Sequence, residues 1–483
     1  MVEARLGAGT VRGGVESGVA VFRGIPFAAP PVGELRFAAP RPVPSWDGVR
    51  EATAFGPPPP QPAVFGMDGI GVAGDDWLTV NVWSPDLAGD LPVMVWIQGG
   101  AYTIGMSGLP EYDGTRLALD DAVVVTFNYR VGLEGFALIE GAPANRGLLD
   151  QVAALEWVRD EIRAFGGDPG RVTVFGQSAG GGSVAALLAM PRAAGLFHRA
   201  IASSVPGAFF TPELASDIAS VCAAELGLRP TVADLSTVDP SLLPAVGDEV
   251  MARIGQFTGR WGQAAHKQIP FAPVVDGDVL PAAPWEALAS GAARDVGLIA
   301  GHTRSEQRLL TVIEGMLGTV TSAQAAQAAE VLAPGVEYPD MGPDELFEVV
   351  CSDWLFRMPS LHLAEAHVAG GGRAFVYEVT WEPPGPFGAC HGIDVPLVFG
   401  NPGLGQSSVV LGEITAETEE LAVQMRTAWS SFAVSGDPGW PAYTSAERLT
   451  RIFDVPPAVV PYPEETSRRL WSGHRFEPLP LLE

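Results

Sequence analysis

The sequence predicts an α/β protein built on a mostly parallel sheet covered by helices, and three observations predict it. Val93-Met94-Val95-Trp96-Ile97 and Val123–Phe127 are continuous apolar runs, the composition of strands buried on both faces. Leu148, Val152, Leu155, Val158, Ile162 and Phe165 fall on one helical face, with Asp150, Glu156, Arg159, Asp160 and Arg163 elsewhere. Strand and helix signals then alternate along the chain, the order that βαβ units produce.

Taken in order, residues 2–27 alternate short apolar pieces with glycine and predict a small antiparallel amino-terminal sheet. Phe22–Gly48 is proline-rich and predicts an extended surface wrap anchored by Phe27, Leu35, Phe37 and Trp46. Residues 57–73 are rich in Pro and Gly and predict a loop, and Leu78–Trp83 alternates as a strand. Val296–Ala300 and Arg373–Thr380 predict two further strands, and Thr418–Phe432 a long carboxy-terminal helix ended by Gly436. Helical insertions are expected at about 211–265 and 322–372. No internal repeat interrupts this pattern, so residues 1–483 read as one elaborated domain.

Composition narrows the function. A chain that is 47% hydrophobic and 18% charged packs a core, and a net charge of −27 repels phosphate backbones and anionic lipid. Nucleic acid and membrane partners are therefore not expected. Cys222, Cys351 and Cys390 lie far apart, which excludes a cysteine-rich zinc site or a disulfide framework and suits a reducing cytoplasm. The amino terminus has no apolar signal core and no 18-residue apolar run occurs, so neither export by a standard signal nor a membrane span is expected. H-E-x-x-H is absent, and His362 and His367 are five apart, off helical register for a shared ligand; no metal or cofactor is expected.

The chemistry concentrates at Arg171–Met190. Val172, Val174 and Phe175 form a short strand, Gly176-Gln177-Ser178-Ala179-Gly180 fits G-x-S-x-G, and a small-residue helix follows. The spacing has a steric reason: the chain turns sharply from strand to helix, and glycines two positions either side of the serine let neighbouring backbone approach. Ser178 is thereby presented near the positive end of a helix.

A serine hydroxyl needs a base, an orienting carboxylate and N–H donors for a developing oxyanion. His391 lies in the small-residue loop Gly388-Ala389-Cys390-His391-Gly392, but six other histidines compete with it. Glu306 follows the Val296–Ala300 strand through Gly301, the usual place for a triad carboxylate, but by itself reads more readily as a solvated loop residue beside Arg304 and Arg308. Gly99 and Gly100 after a buried strand, with Ala179 after the serine, are the candidate oxyanion donors. Trp354, Phe356, Phe209, Phe210 and Met106 read either as pocket lining or as core.

At this point FRGIPFAAPPVGELRF, LTVNVW, WIQGGAY, FNYRVG, GQSAGG, GHTRSEQ, GACHGIDVPLVFG and AWSSFAVSGDPGWPAY, in that order, resemble the type-B carboxylesterases over nearly the whole length. The resemblance implies an α/β-hydrolase fold and a serine hydrolase of carboxylic esters. It carries the nucleophile onto Ser178, the acid onto Glu306, the base onto His391, and the oxyanion donors onto Gly99, Gly100 and Ala179. The chain departs from the family's pattern with Gln98 for histidine and Gln177 for glutamate. Pro60 and Trp77 stand where an amino-terminal disulfide is common. Acyl transfer to another acceptor, amide or carbamate hydrolysis, or a non-catalytic binding role on the same scaffold remain open on sequence alone. So do the natural ester and the oligomeric state.

Overall fold

The computed structural model describes residues 1–63 and 74–483. Its strands are β1 (Val2–Arg5), β2 (Thr10–Glu16), β3 (Val19–Pro26), β4 (Val49–Glu51), β5 (Thr79–Ser84), β6 (Leu91–Ile97), β7 (Val123–Phe127), β8 (Gly167–Gln177), β9 (Arg199–Ser203), β10 (Gly297–Thr303), β11 (Ala374–Val379), β12 (Leu449–Phe453) and β13 (Ala458–Pro461). They form one sheet in the order β1-β2-β3-β5-β7-β6-β8-β9-β10-β11-β12-β13, with β4 beside β2. Strands β7 through β12 of that order are parallel, while β1, β2, β3 and β5 at one end and β13 at the other run antiparallel. The amino-terminal strands are antiparallel as expected, and they continue the main sheet instead of standing apart from it.

Alternation along the strands builds two cores. On β6, Val93, Val95 and Ile97 point into one apolar cluster, and Met94 and Trp96 into the other. Both faces are covered, which is why the central strands read as unbroken apolar runs. On the second face Trp96 packs against Phe175 and Phe399 at centroid distances of 5.0 and 5.3 Å. Each such pair contributes about 1 kcal/mol beyond its buried area.

The strand order places a crevice. From β6 the chain crosses to β7 on one side, and from β8 to β9 on the other. The carboxyl ends of β6 and β8 thus flank the switch point at which open α/β sheets bind ligands.

Most elements lie where the sequence placed them. The amphipathic helix is Arg146–Glu161 with a short 3-10 turn Ile162–Phe165, and the long carboxy-terminal helix is Ala416–Ser435, closed by Gly436 at φ 77°. The 211–265 insertion holds helices Pro212–Glu225, Val232–Leu235, Leu243–Ala252 and Thr258–His266. The 322–372 segment holds Ser322–Leu332, Pro343–Ser352 and Met358–Ala369. One expectation is corrected: Phe22–Pro26 belongs to β3, not to an irregular wrap. A register shift between Phe22 and Ile25 takes up Arg23-Gly24, with Gly24 at φ 71° and its N–H donating to Asn81 Oδ1 at 2.9 Å. Pro26 needs no donor because it closes the strand. Of the loop expected at 57–73, residues 57–63 carry no regular structure, and 64–73 lie outside the described residues. Among the described residues no helix is long and apolar enough to cross a membrane.

Candidate active site

Ser178 stands between β8 and the helix Ala179–Ala189, at φ 59° and ψ −126°. A non-glycine residue held there stores on the order of 1–3 kcal/mol of strain, which the surroundings must enforce. They do so by close approach. A Cβ on Gly176 would sit 2.5 Å from the Gly180 carbonyl oxygen, and one on Gly180 would collide with the Ile97 carbonyl. The Ser178 N–H donates to Ser203 O at 3.0 Å, tying the turn to the end of β9. Both motif glycines are required because three backbone segments meet there.

The loop after β6 packs onto this turn. A Cβ on Gly99 would lie 2.8 Å from Gln177 O and 3.0 Å from Ser178 Cβ. Gly100 is at φ 114°, and Ala101 and Tyr102 follow at φ 53° and 58°. The Gly100 carbonyl accepts from the N–H groups of Thr103 and Ile104 at 2.9 and 3.0 Å, closing a tight turn without using the Gly99 or Gly100 N–H. Tyr129 anchors its base by donating its hydroxyl to Gln98 O at 2.7 Å. The Gln98 side chain is fully buried and finds no hydrogen-bond partner among the described protein groups. Ala179 opens the helix, so its N–H lies at the helix's positive end.

Glu306 lies three residues beyond β10 and is fully buried. Its carboxylate accepts from Ser204 Oγ at 2.6 Å, from the Thr303 N–H at 2.8 Å, and from His391 Nδ1 at 2.5 Å. Burial alone would push this carboxyl up, but the charge and hydrogen bond of His391, with the Ser204 and Thr303 donors, hold it below the ordinary range. The group stays ionised. A parallel bridge between Ser305 and Cys390, with the Ser305 N–H donating to Ala389 O at 2.9 Å, joins the turn bearing Glu306 to the loop bearing His391.

The His391 imidazole is the only part of this pair that solvent reaches, with 13% of its side chain exposed. Donation of Nδ1–H to Glu306 leaves Nε2 as an acceptor. The Gln177 side-chain nitrogen lies 3.2 Å from Nε2, so the imidazole borders the turn carrying Ser178. Phe356 stacks on the ring at 4.1 Å and 27°. It is delivered by a π-turn, Asp353–Arg357, of a kind frequent at functional sites.

Sequence reasoning missed Ser204, Asp394 and Tyr377. Asp394 is buried beside the pair and accepts from the Tyr377 hydroxyl at 3.1 Å, while the Tyr377 oxygen accepts from Ser203 Oγ at 2.7 Å. Burial, followed by the Glu306 charge, pushes Asp394 up to about 6. Ser203 and Ser204 at a strand's carboxyl end were the only available signal. Of the five apolar candidates, Phe356 is the one that stacks on the imidazole. Phe209 packs on Trp285 at 5.5 Å, and Met106 belongs to a small cluster with Leu109. Cys390 is no rival nucleophile, since burial pushes its thiol up to about 12. All three cysteines are free and buried. Among the described residues no group of three or more His, Cys, Asp or Glu is placed to hold a metal ion.

Comparison with known proteins decides the family. The profile of the carboxylesterase family matches residues 1–333 and 343–455. The chain belongs to the carboxylesterase family. It is a carboxylic ester hydrolase with the α/β-hydrolase fold that the sequence predicts. It is 38% identical to the para-nitrobenzyl esterase of Bacillus subtilis (strain 168), over 95% of this chain and 96% of that protein. It is 36% identical to the fumonisin B1 esterase of Sphingopyxis macrogoltabida, over 89% and 82% respectively. Among solved structures, a PNB esterase superposes with a TM-score of 0.86 at 35% identity, covering 97% of this chain and 99% of the other. The Geobacillus stearothermophilus carboxylesterase superposes with a TM-score of 0.85 at 33% identity, covering 98% and 100%.

Proposed function

We propose that this carboxylesterase hydrolyses small-molecule esters by two acyl transfers through Ser178. His391 Nε2 takes the Ser178 proton as the oxygen attacks the ester carbonyl, and the N–H groups of Gly99, Gly100 and Ala179 receive the oxyanion. The tetrahedral intermediate collapses as His391 returns the proton to the leaving alcohol. Water, deprotonated by the same imidazole, then attacks the acyl-enzyme and releases the acid. Glu306 remains a carboxylate throughout, fixing the ring and stabilising its charged form.

The observation that carries this reading is the 2.5 Å bond from His391 Nδ1 to a fully buried, threefold-bonded Glu306, with the opposite ring nitrogen against the nucleophile's turn. The relatives named for p-nitrobenzyl esters and for fumonisin B1 support broad ester specificity. We place the enzyme in the cytoplasm, on the strength of its free buried cysteines, and read residues 1–483 as one domain because one sheet joins β1 to β13.

The test is a chain-length series of p-nitrophenyl esters with wild-type enzyme and Ser178→Ala, each also treated with an organophosphate. Wild type should turn over and take one phosphoryl group at Ser178, the reagent's leaving group departing. The variant should lose about 10⁴- to 10⁶-fold in kcat and take none. A variant retaining a tenth of the activity removes Ser178 from the role.

A further inference from the structure

At the opposite, amino end of the sheet is an open cleft of about 400 Å³ lined by Gly170, His198, Arg199, Arg294, Asp295 and Arg373, among others. Arg199 opens β9, Arg373 precedes β11, and Gly170 lies near the start of β8. Eight residues of extended chain separate Gly170 from Ser178, about 25 Å. The cleft is therefore distinct from the ester site.

Its charge runs against that of the molecule. In a chain with 56 acidic and 29 basic residues, three arginines line the cleft with Asp295 as its one acid. Most arginines here are held in ion pairs, such as Arg130 with Asp150 and Arg308 with Glu348. Arg199, Arg294 and Arg373 make none among the described residues, and the neighbouring Arg171 is already taken by Asp168 at 2.9 Å.

Two of the three are held in place with donors to spare. Arg199 uses one N–H on Ala433 O at 2.9 Å, and Arg373 lies over the Phe375 ring at 4.7 Å. Partial burial and the Arg171 charge both weigh against the Arg199 charge. His198 Nδ1 accepts the Val172 N–H at 3.3 Å, which leaves Nε2–H as a fourth, uncharged donor.

We propose that this cleft binds the phosphate group of a small molecule, or inorganic phosphate itself. Guanidinium forks match the oxygens of a tetrahedral dianion, and the three arginines lining one cleft outnumber its single carboxylate. The volume admits a small ligand, while the overall charge of −27 repels an extended polyanion such as nucleic acid.

The test is calorimetric titration of the full chain at low ionic strength with inorganic phosphate, pyrophosphate and phenyl phosphate, against chloride as blank. Arg294→Gln/Arg373→Gln is compared with Arg5→Gln/Arg475→Gln, which removes the same charge elsewhere. Saturable binding of at least one phosphate by wild type is expected. The cleft variant should weaken it by about tenfold or more, and the control by less than about twofold. Tighter binding of inorganic phosphate assigns the site to the free ion, and tighter binding of phenyl phosphate to a phosphate ester. Hydrolysis of p-nitrophenyl acetate should be unchanged in both variants, showing that they fold. No saturable heat in wild type, or equal weakening in the two variants, overturns the proposal.

Discussion

The side-chain nitrogen of Gln177 lies 3.2 Å from His391 Nε2, the ring nitrogen that faces away from Glu306. A neutral amide therefore occupies the residue position next to Ser178, where a carboxylate would act directly on the imidazole. Gln177→Glu should favour the charged ring and move the acid limb of the kcat/KM profile up by about one pH unit. Gln177→Ala should leave that limb within a few tenths of a unit. An unmoved limb in Gln177→Glu would show that the contact carries no electrostatic weight.

Ser204 supplies one of three hydrogen bonds to Glu306, at 2.6 Å. Glu306 titrates below the ordinary carboxylate range, so its contribution to stability is present above the unfolded-state pKa and is lost as pH falls through the lower folded value. Ser204→Ala should cost on the order of 2 kcal/mol in urea melts at neutral pH. Its kcat should fall about tenfold through the loosened Glu306, and Ser204→Thr should restore most of both.

Asp394 shifts stability the other way. It titrates at about 6 in the fold, above the unfolded value near 4, so the native state binds a proton that the unfolded chain has released. Stability is lost as pH rises through that window. Asp394→Asn keeps an acceptor for Tyr377 and carries no charge, so it should gain on the order of 2 kcal/mol over wild type at pH 8 and little at pH 4. Paired thermal melts at the two pH values read this directly.

A Cβ at Gly180 collides with the Ile97 carbonyl, and no side chain is there to yield. Gly180→Ala should cost about 3 kcal/mol or more and abolish turnover. Gly247, inside the helix Leu243–Ala252 with no atom nearer than 3.9 Å to a Cβ, is the comparison: Gly247→Ala should raise stability by about 0.5–1 kcal/mol.

What the sequence made legible was local. The β6 and β7 runs, the 146–165 helix and the Ser178 turn all declared themselves through periodicity or glycine spacing within about twenty residues. His391 and Glu306 did not, since seven histidines and 56 acidic residues compete for the roles, and only the family's ordered blocks singled them out. Ser204, Tyr377 and Asp394 were not singled out for a related reason. Ser204 meets Glu306 from 102 positions away, and although Tyr377 and Asp394 lie within 14 positions of His391, no spacing rule brings a strand residue and a helix residue together beside it. Phe22–Pro26 was misread because it was grouped with the proline-rich stretch that follows, whereas a register shift at Arg23-Gly24 carries β3 through to Pro26.

Ser178, Glu306 and His391 follow β8, β10 and β11, with β9 bridging β8 to β10 and β10 paired directly with β11. No fragment of the chain that stops short of β11 contains the whole constellation. Reactive-hydroxyl titration with an organophosphate thus doubles as a census of native molecules, and its thermal loss should track collapse of the sheet as a single event.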